Sequence, residues 1–385
     1  MKRQIMVGIF LLSLIAVWFH PVLAEPPKDP DKFKFGFISC VTGPTAWLHT
    51  VWFPGTEIAI EEINGAGGIA GKPLEAIVED HKSGDPKAAV SGMLKLVNMD
   101  KVPFVLVTFS PPNFACQPIA AEHKVLQINF GAWSPQLINL PYLFNSRLVG
   151  NVLAEGTAKV AWDRGYRKAA ILHPNDTSGV TLKNYVKKVW EKWGGKIVAI
   201  ETAELGASEF HVQLAKMRLT RPECIFNYFY STDLGYSLKQ ARELGMNQPA
   251  YGFIWSDAIY KAAGPGSKGY FYVQDYFNPN SEKAWTRKYV EKYEKRTGKK
   301  ADMWGANAYE ITYILKALIE EARKKGGDYY TGENLIEALL KIRSFDTIYE
   351  GKITFRDDGS CTKAMAVYEI QEGGKSQLLG KVELQ

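Results

Sequence analysis

Along residues 33–39 the apolar side chains of Phe33, Phe35 and Phe37 alternate with Lys34 and Gly36, and the run stops at Thr42, Gly43 and Pro44. A period of two marks a strand, and a glycine followed by a proline ends one. Short apolar runs recur at 75–79, 103–107 and 125–129, separated by segments of helical period near 54–64, 85–99 and 113–122. The run Asn64-Gly65-Ala66-Gly67-Gly68 stops the first helix, because glycine takes up the left-handed conformation of a helix end at little cost. Strand–helix alternation of this kind predicts a parallel sheet with helices on both faces.

The same unit restarts after Tyr142-Leu143-Phe144-Asn145, with strands expected at 168–172, 196–201, 223–228 and 250–254. Helical periods fill 178–193, 208–218 and 232–244 between them, and two further helices are expected at 306–324 and 332–342. A hairpin pattern follows in "ITFRDDGSCTKAMAVYEI", with its turn at Asp358-Gly359. The pattern therefore predicts an α/β chain of two doubly wound, Rossmann-like lobes. Ligands of such sheets bind beyond the carboxyl ends of the strands, so a cleft between the lobes is the expected site.

Composition changes this picture at the amino terminus. Lys2 and Arg3 precede an apolar run from Ile5 to Phe19, and Val22-Leu23-Ala24 offers small residues to a signal peptidase. Residues 1–24 read as a cleaved secretory signal, since the apolar run is shorter than the roughly twenty residues that span a bilayer. No cysteine follows the expected cleavage site, which argues against a lipid anchor. The Pro-rich, charged stretch 25–32 reads as a flexible arm.

Charge excludes more than it suggests. The formal net charge is +6, from 47 basic and 41 acidic residues, and lysines such as Lys183, Lys187, Lys188 and Lys192 are spread over helix-period segments. That is a solvated helix face rather than a nucleic-acid surface. Cys40, Cys116, Cys224 and Cys361 are far apart, without a Cys-x-x-Cys pair, and leave both disulfides and free buried thiols open. There is no Gly-x-Ser-x-Gly elbow, no phosphate-cradling loop and no His-Glu-x-x-His pair, so no catalytic residue, metal or cofactor is expected.

Seven stretches, "VTGPTAW", "EEINGAGGIAGKPLE", "VEDHKSGDPKAAV", "VLQINFGAWSPQL", "PYLFNSR", "LKQARELG" and "YEGKITFRDDG", occur between Phe33 and Glu383 in the order and spacing of one family. The chain resembles the type I periplasmic solute-binding proteins of ABC transporters, in the leucine/isoleucine/valine-binding branch. That resemblance implies three crossings between lobes, near Asn145-Ser146, Val273-Gln274 and Tyr349-Glu350. Lobe 1 would comprise 33–146 and 275–348, and lobe 2 would comprise 147–274 and 349–385. It also implies a periplasmic monomer that captures a small-molecule ligand by hinge closure and hands it to a membrane permease. A ligand-sensing partner of a membrane receptor shares the fold and is the alternative of another class.

The strand-end reading, for Trp47 and His49, and the resemblance, for the rest, place the ligand among nine residues. On lobe 1 these are Trp47 and His49 beyond the first strand, Ser110 in "VTFSPPNF", and Ala132 and Trp133 in "FGAWSPQL". On lobe 2 they are Ser178, Tyr230, Trp255 and Asp257, the last as the partner of a ligand ammonium. Two departures matter. Trp133 stands where amino-acid binders carry a threonine that holds the carboxylate, and Ser178 replaces a tyrosine. With four aromatics at the expected cleft, the ligand should have a flat or apolar body with one anionic group, an aromatic or other organic carboxylate, in preference to a branched-chain amino acid.

Overall fold

The computed structural model describes residues 25–43 and 45–384, so the expected signal sequence lies outside the described residues. Two parallel sheets organise the chain. The first has the order β2-β1-β3-β4-β5, from β1 (Phe33–Ser39), β2 (Leu74–Asp80), β3 (Phe104–Val107), β4 (Leu126–Asn129) and β5 (Leu143–Asn145). Its period of two sorts side chains to opposite faces. Phe33, Phe35, Phe104 and Leu106 enter one core, while Ile38, Val105 and Val107 enter another. The second core is closed by α2 (Pro86–Asn98) and α3 (Ser110–Glu122), the first partly by α1 (His49–Gly65).

Helix α4 (Gly150–Asp163) opens the second lobe. There β6 (Lys168–Pro174), β7 (Lys196–Ala203), β8 (Cys224–Asn227), β9 (Ala250–Gly252) and β10 (Tyr270–Asp275) run parallel. Helices α5 (Thr177–Lys192), α6 (His211–Leu219), α7 (Thr232–Glu243) and α8 (Asp257–Ala263) connect them. The chain then returns to the first lobe as α9 (Ala284–Thr297), α10 (Met303–Arg323) and α11 (Gly332–Ile342). Ile311, Leu315, Leu318, Leu335 and Leu339 complete the first core.

A three-stranded antiparallel sheet follows, β11 (Ser344–Asp346), β12 (Lys352–Phe355) and β13 (Cys361–Thr362). Phe345, Ile353, Phe355 and Cys361 all face the first core. The expectation that the chain enters the second lobe at Tyr349-Glu350 is therefore corrected: the apolar face of this small sheet keeps 344–362 on the first lobe. The passage comes at Lys363-Ala364, after which β14 (Met365–Ile370) and β15 (Ser376–Val382) add antiparallel strands to the second sheet.

The three passages touch one another. The Leu148 N–H donates to Asp275 Oδ1 (3.2 Å), the Tyr276 N–H to Ala364 O (2.9 Å), and Lys363 Nζ to Ser146 O (3.3 Å). The arm 25–32, expected to be flexible, is docked instead. Arg323 donates to both oxygens of Asp29 (2.8 and 2.7 Å), Tyr329 donates to one (2.6 Å), and the Lys28 N–H reaches Gly327 O (2.9 Å). A bidentate guanidinium–carboxylate pair fixes geometry as a frayed end cannot. The four cysteines are free and buried.

Candidate functional site

The carboxyl ends of β1 and β2 are tied together. Asp80 accepts from the Val41 N–H (2.9 Å), the Thr42 N–H (3.2 Å), the Thr42 hydroxyl and the Lys82 N–H (2.7 Å). That loop leads to Trp47, which is 61% exposed in a short 3-10 turn ahead of α1. His49 turns away from it and stacks on Phe53 (ring centroids 5.0 Å apart, planes 17°). With Phe53, Glu57 and Arg296 it lines a surface cavity of about 340 Å³ on the first lobe.

Next to this end lies a buried histidine that sequence reasoning did not select. His81 is fully buried; its Nδ1 accepts from the Gly84 N–H (3.0 Å), so Nε2 carries the proton and donates to Thr108 Oγ1 (2.6 Å). Burial pushes its imidazole down to about 4.

At β3 and β4 the expected ligand donors are differently placed. Ser110 is the first residue of α3 rather than its cap; the cap position belongs to Phe109, which is held at φ 59°. Pro111 and Pro112 follow and bring no N–H. Asn129, the last residue of β4, gathers the loop beyond it: its Oδ1 accepts from the Gly131 N–H (3.2 Å) and the Ala132 N–H (2.7 Å), and its Nδ2 donates to Ala132 O (2.8 Å). Ala132 is 2% exposed with its N–H committed to this side chain, so the expectation that it donates to a ligand does not fit the geometry. Asn129 Nδ2 also reaches Asn145 Oδ1 (2.8 Å), extending a polar network along the strand ends that includes Asn113 and Gln127.

Trp133 and Tyr230 come together across the lobes. Their ring centroids are 4.9 Å apart at 67°, and Trp133 lies 4.7 Å from Phe253. The Gly150 N–H donates to Trp133 O (2.8 Å), which fixes the backbone behind the ring. Tyr230 donates its hydroxyl to Asp176 Oδ2 (2.6 Å), while Asp176 Oδ1 caps α5 by accepting the Gly179 N–H (2.7 Å). Ser178 is half-buried in that same first turn. Trp255 is placed elsewhere: its ring packs on Tyr270 (5.6 Å) and its Nε1 donates to Gly374 O (3.0 Å), so it braces the second lobe. Asp257 is exposed at the start of α8, where Ser256 is the cap. Among the described residues no group of three or more His, Cys, Asp or Glu side chains is placed to hold a metal ion.

An aromatic cluster in the first core was missed in the sequence. Trp52 lies 5.9 Å from Phe109, 5.8 Å from Phe130 and 5.9 Å from Trp304. Arg147, immediately after β5, places its guanidinium 4.4 Å from the Trp304 ring centroid.

This chain of two α/β lobes is matched by the sequence model of the family described as periplasmic binding protein, over residues 32–375. The chain belongs to that family. It is 29% identical over 245 residues to the leucine-, isoleucine-, valine-, threonine- and alanine-binding protein of Pseudomonas aeruginosa, a match covering 62% of this chain and 65% of that protein. The fold of this periplasmic binding protein is also that of a leucine-binding protein from Thermotoga maritima (TM-score 0.72, 21% identity, covering 91% of this chain and 98% of that one). It is shared by an ABC transporter solute-binding protein of R. palustris solved in complex with benzoate (TM-score 0.69, 20% identity, covering 91% and 96%).

Proposed function

We propose that this periplasmic binding protein is the solute-capturing component of an ABC importer, and that its ligand is a small carboxylate with a flat, apolar body. The contact of Trp133 with Tyr230 and Phe253 carries the reading. An aromatic wall stands where the resemblance puts a hydroxyl-bearing residue, and such a wall suits a ring or a branched hydrocarbon better than a zwitterion. The carboxylate beside it, Asp176, is oriented by the Tyr230 hydroxyl and the Gly179 N–H. The benzoate complex of the R. palustris protein shows that this fold accommodates such a ligand.

A second reading, an α-amino acid, is favoured by the exposed carboxylate of Asp257 and by the amino acids named for the Pseudomonas relative. In both readings the action is physical: a ligand meets one lobe, the hinge closes, and buried apolar surface with excluded water stabilises the closed form that a permease recognises.

A thermal-shift screen of residues 25–385 against two panels, aromatic and aliphatic carboxylates and free amino acids, tests the proposal. A ligand that binds only the folded form raises the melting temperature by mass action. Shifts confined to the carboxylates are expected; shifts confined to leucine and its relatives would replace the first reading by the second.

A further inference from the structure

Two of the donors that the resemblance assigned to a ligand anion, the Gly131 and Ala132 N–H groups, point to Asn129, and Ser110 is followed at the start of α3 by two prolines that bring no N–H. Ser110 alone leaves the charge of an anionic ligand without a cationic partner. We propose that Arg147 holds the ligand's carboxylate in the interlobe cleft, an inference that rests on the carboxylate reading above.

Arg147 is 5% exposed, and its Nε and Nη1 have no hydrogen-bond partner among the described residues. Its face is used, 4.4 Å from the Trp304 ring centroid, while Nε and Nη1, on different edges of the guanidinium, are unused. Stacking engages the plane of a guanidinium and leaves its in-plane N–H groups free to donate to a carboxylate. Leaving such donors buried and unpaired is costly, and an entering anion removes that cost.

The residue is also in the right place. It leaves β5 at the first passage between lobes, where the Ser146 N–H donates to Asn129 O (2.9 Å) and the Gly150 N–H to Trp133 O (2.8 Å). It thus follows the strand-end network in the chain at the passage into the second lobe, with Trp304 beside its guanidinium. The buried acids at the passages have partners other than Arg147: Glu310 Oε2 takes the Lys363 ammonium (2.6 Å), its Oε1 being unpaired among the described residues, and Asp275 Oδ1 takes the Leu148 N–H (3.2 Å). Among the described residues Arg147 has no ion-pair partner within 4.0 Å, and an external oxyanion supplies one. On this proposal one small molecule presents its ring to Trp133 and its carboxylate to Arg147.

Calorimetric titration of residues 25–385 with benzoate and its neutral isostere benzamide, in the wild type and in Arg147→Gln and Arg147→Lys, tests this. A charge-assisted pair predicts that Arg147→Gln weakens benzoate by about 10- to 100-fold and leaves benzamide nearly unchanged, with Arg147→Lys in between. The melting temperature without ligand should hold or rise in Arg147→Gln, since buried unpaired donors are removed; a merely structural role would lower it. An unchanged benzoate-to-benzamide ratio in either folded variant would overturn the assignment while leaving the function standing. Should the wild type bind leucine rather than benzoate, the functional reading falls alone, and leucine against leucinamide decides Arg147 by the same ratio. Absence of binding by every carboxylate overturns both.

Discussion

Tyr230 and His81 show what single residues contribute at these strand ends. Tyr230 is oriented by the hydrogen bond to Asp176 and presents its ring to Trp133. Tyr230→Ala should weaken ligand binding by about tenfold or more through lost apolar contact, whereas Tyr230→Phe, keeping the ring, should cost less; calorimetry that finds both variants unchanged would place the residue outside the ligand's reach. His81 acts on stability. Its folded-state pKa of about 4 lies below the ordinary value, so as pH falls the unfolded chain takes up the proton first. Its contribution is fully present above about pH 6.5 and is lost as pH falls towards 4, on the order of 2–3 kcal/mol by pH 4.5. His81→Gln preserves an acceptor for Gly84 and a donor for Thr108, so denaturant melts at pH 7 and pH 4.5 should differ less in the variant. An equal difference would show that His81 does not carry the effect. Trp133, Tyr230 and Ser178 were expected at the cleft from the resemblance, and the structure brings Trp133 and Tyr230 into contact. Trp255 shares that position in sequence, yet the Gly374 carbonyl draws its indole into the second lobe, a contact 119 residues away that no local pattern reveals. Asn129 and Arg147 were not legible, since a polar residue ending a buried run signals neither what it gathers nor what it lacks.

Among the elements, the packing of α1 against α10 leaves no room for an added methyl group: a Cβ on Gly55 would lie 2.1 Å from Gly305 O, so the two helices meet through glycines. Gly55→Ala should destabilise the protein by about 1–3 kcal/mol, read as a lower denaturation midpoint, and an unchanged midpoint would mean that the helices separate freely. The parallel strands were read well because burial on both faces writes them as continuous apolar runs bounded by turn residues. The start of α1 was read late. The helical period was read from about residue 54, yet the helix starts at His49 and carries Pro54 inside. The hairpin turn at Asp358-Gly359 was read correctly, with the Gly359 N–H closing on Arg356 O (3.0 Å). Its membership was not, because the apolar face of β12 and β13 fits either lobe until the first core claims Ile353 and Phe355.

At the scale of the molecule, the passages between lobes enclose an ion pair. Lys363 and Glu310 are both fully buried, 2.6 Å apart, and the lysine ammonium also sits 3.6 Å from the Tyr349 ring centroid. Removing one member leaves a charge without its partner in an apolar setting, so Lys363→Met should cost about 3–5 kcal/mol. The double variant Lys363→Met/Glu310→Leu should be more stable than that single variant; losses that simply add would show that the two charges are not coupled. The two-lobed plan could be read from repeated strand–helix units, whereas the sites of passage depend on contacts between distant segments and could not.

The account as a whole turns on capture of a flat carboxylate by closure of the two lobes. Small-angle X-ray scattering from residues 25–385, titrated separately with benzoate and with leucine, tests both parts at once. A radius of gyration that falls to a plateau with benzoate and stays constant with leucine is the expected result; a fall with leucine alone, or saturable benzoate binding without any compaction, would contradict it.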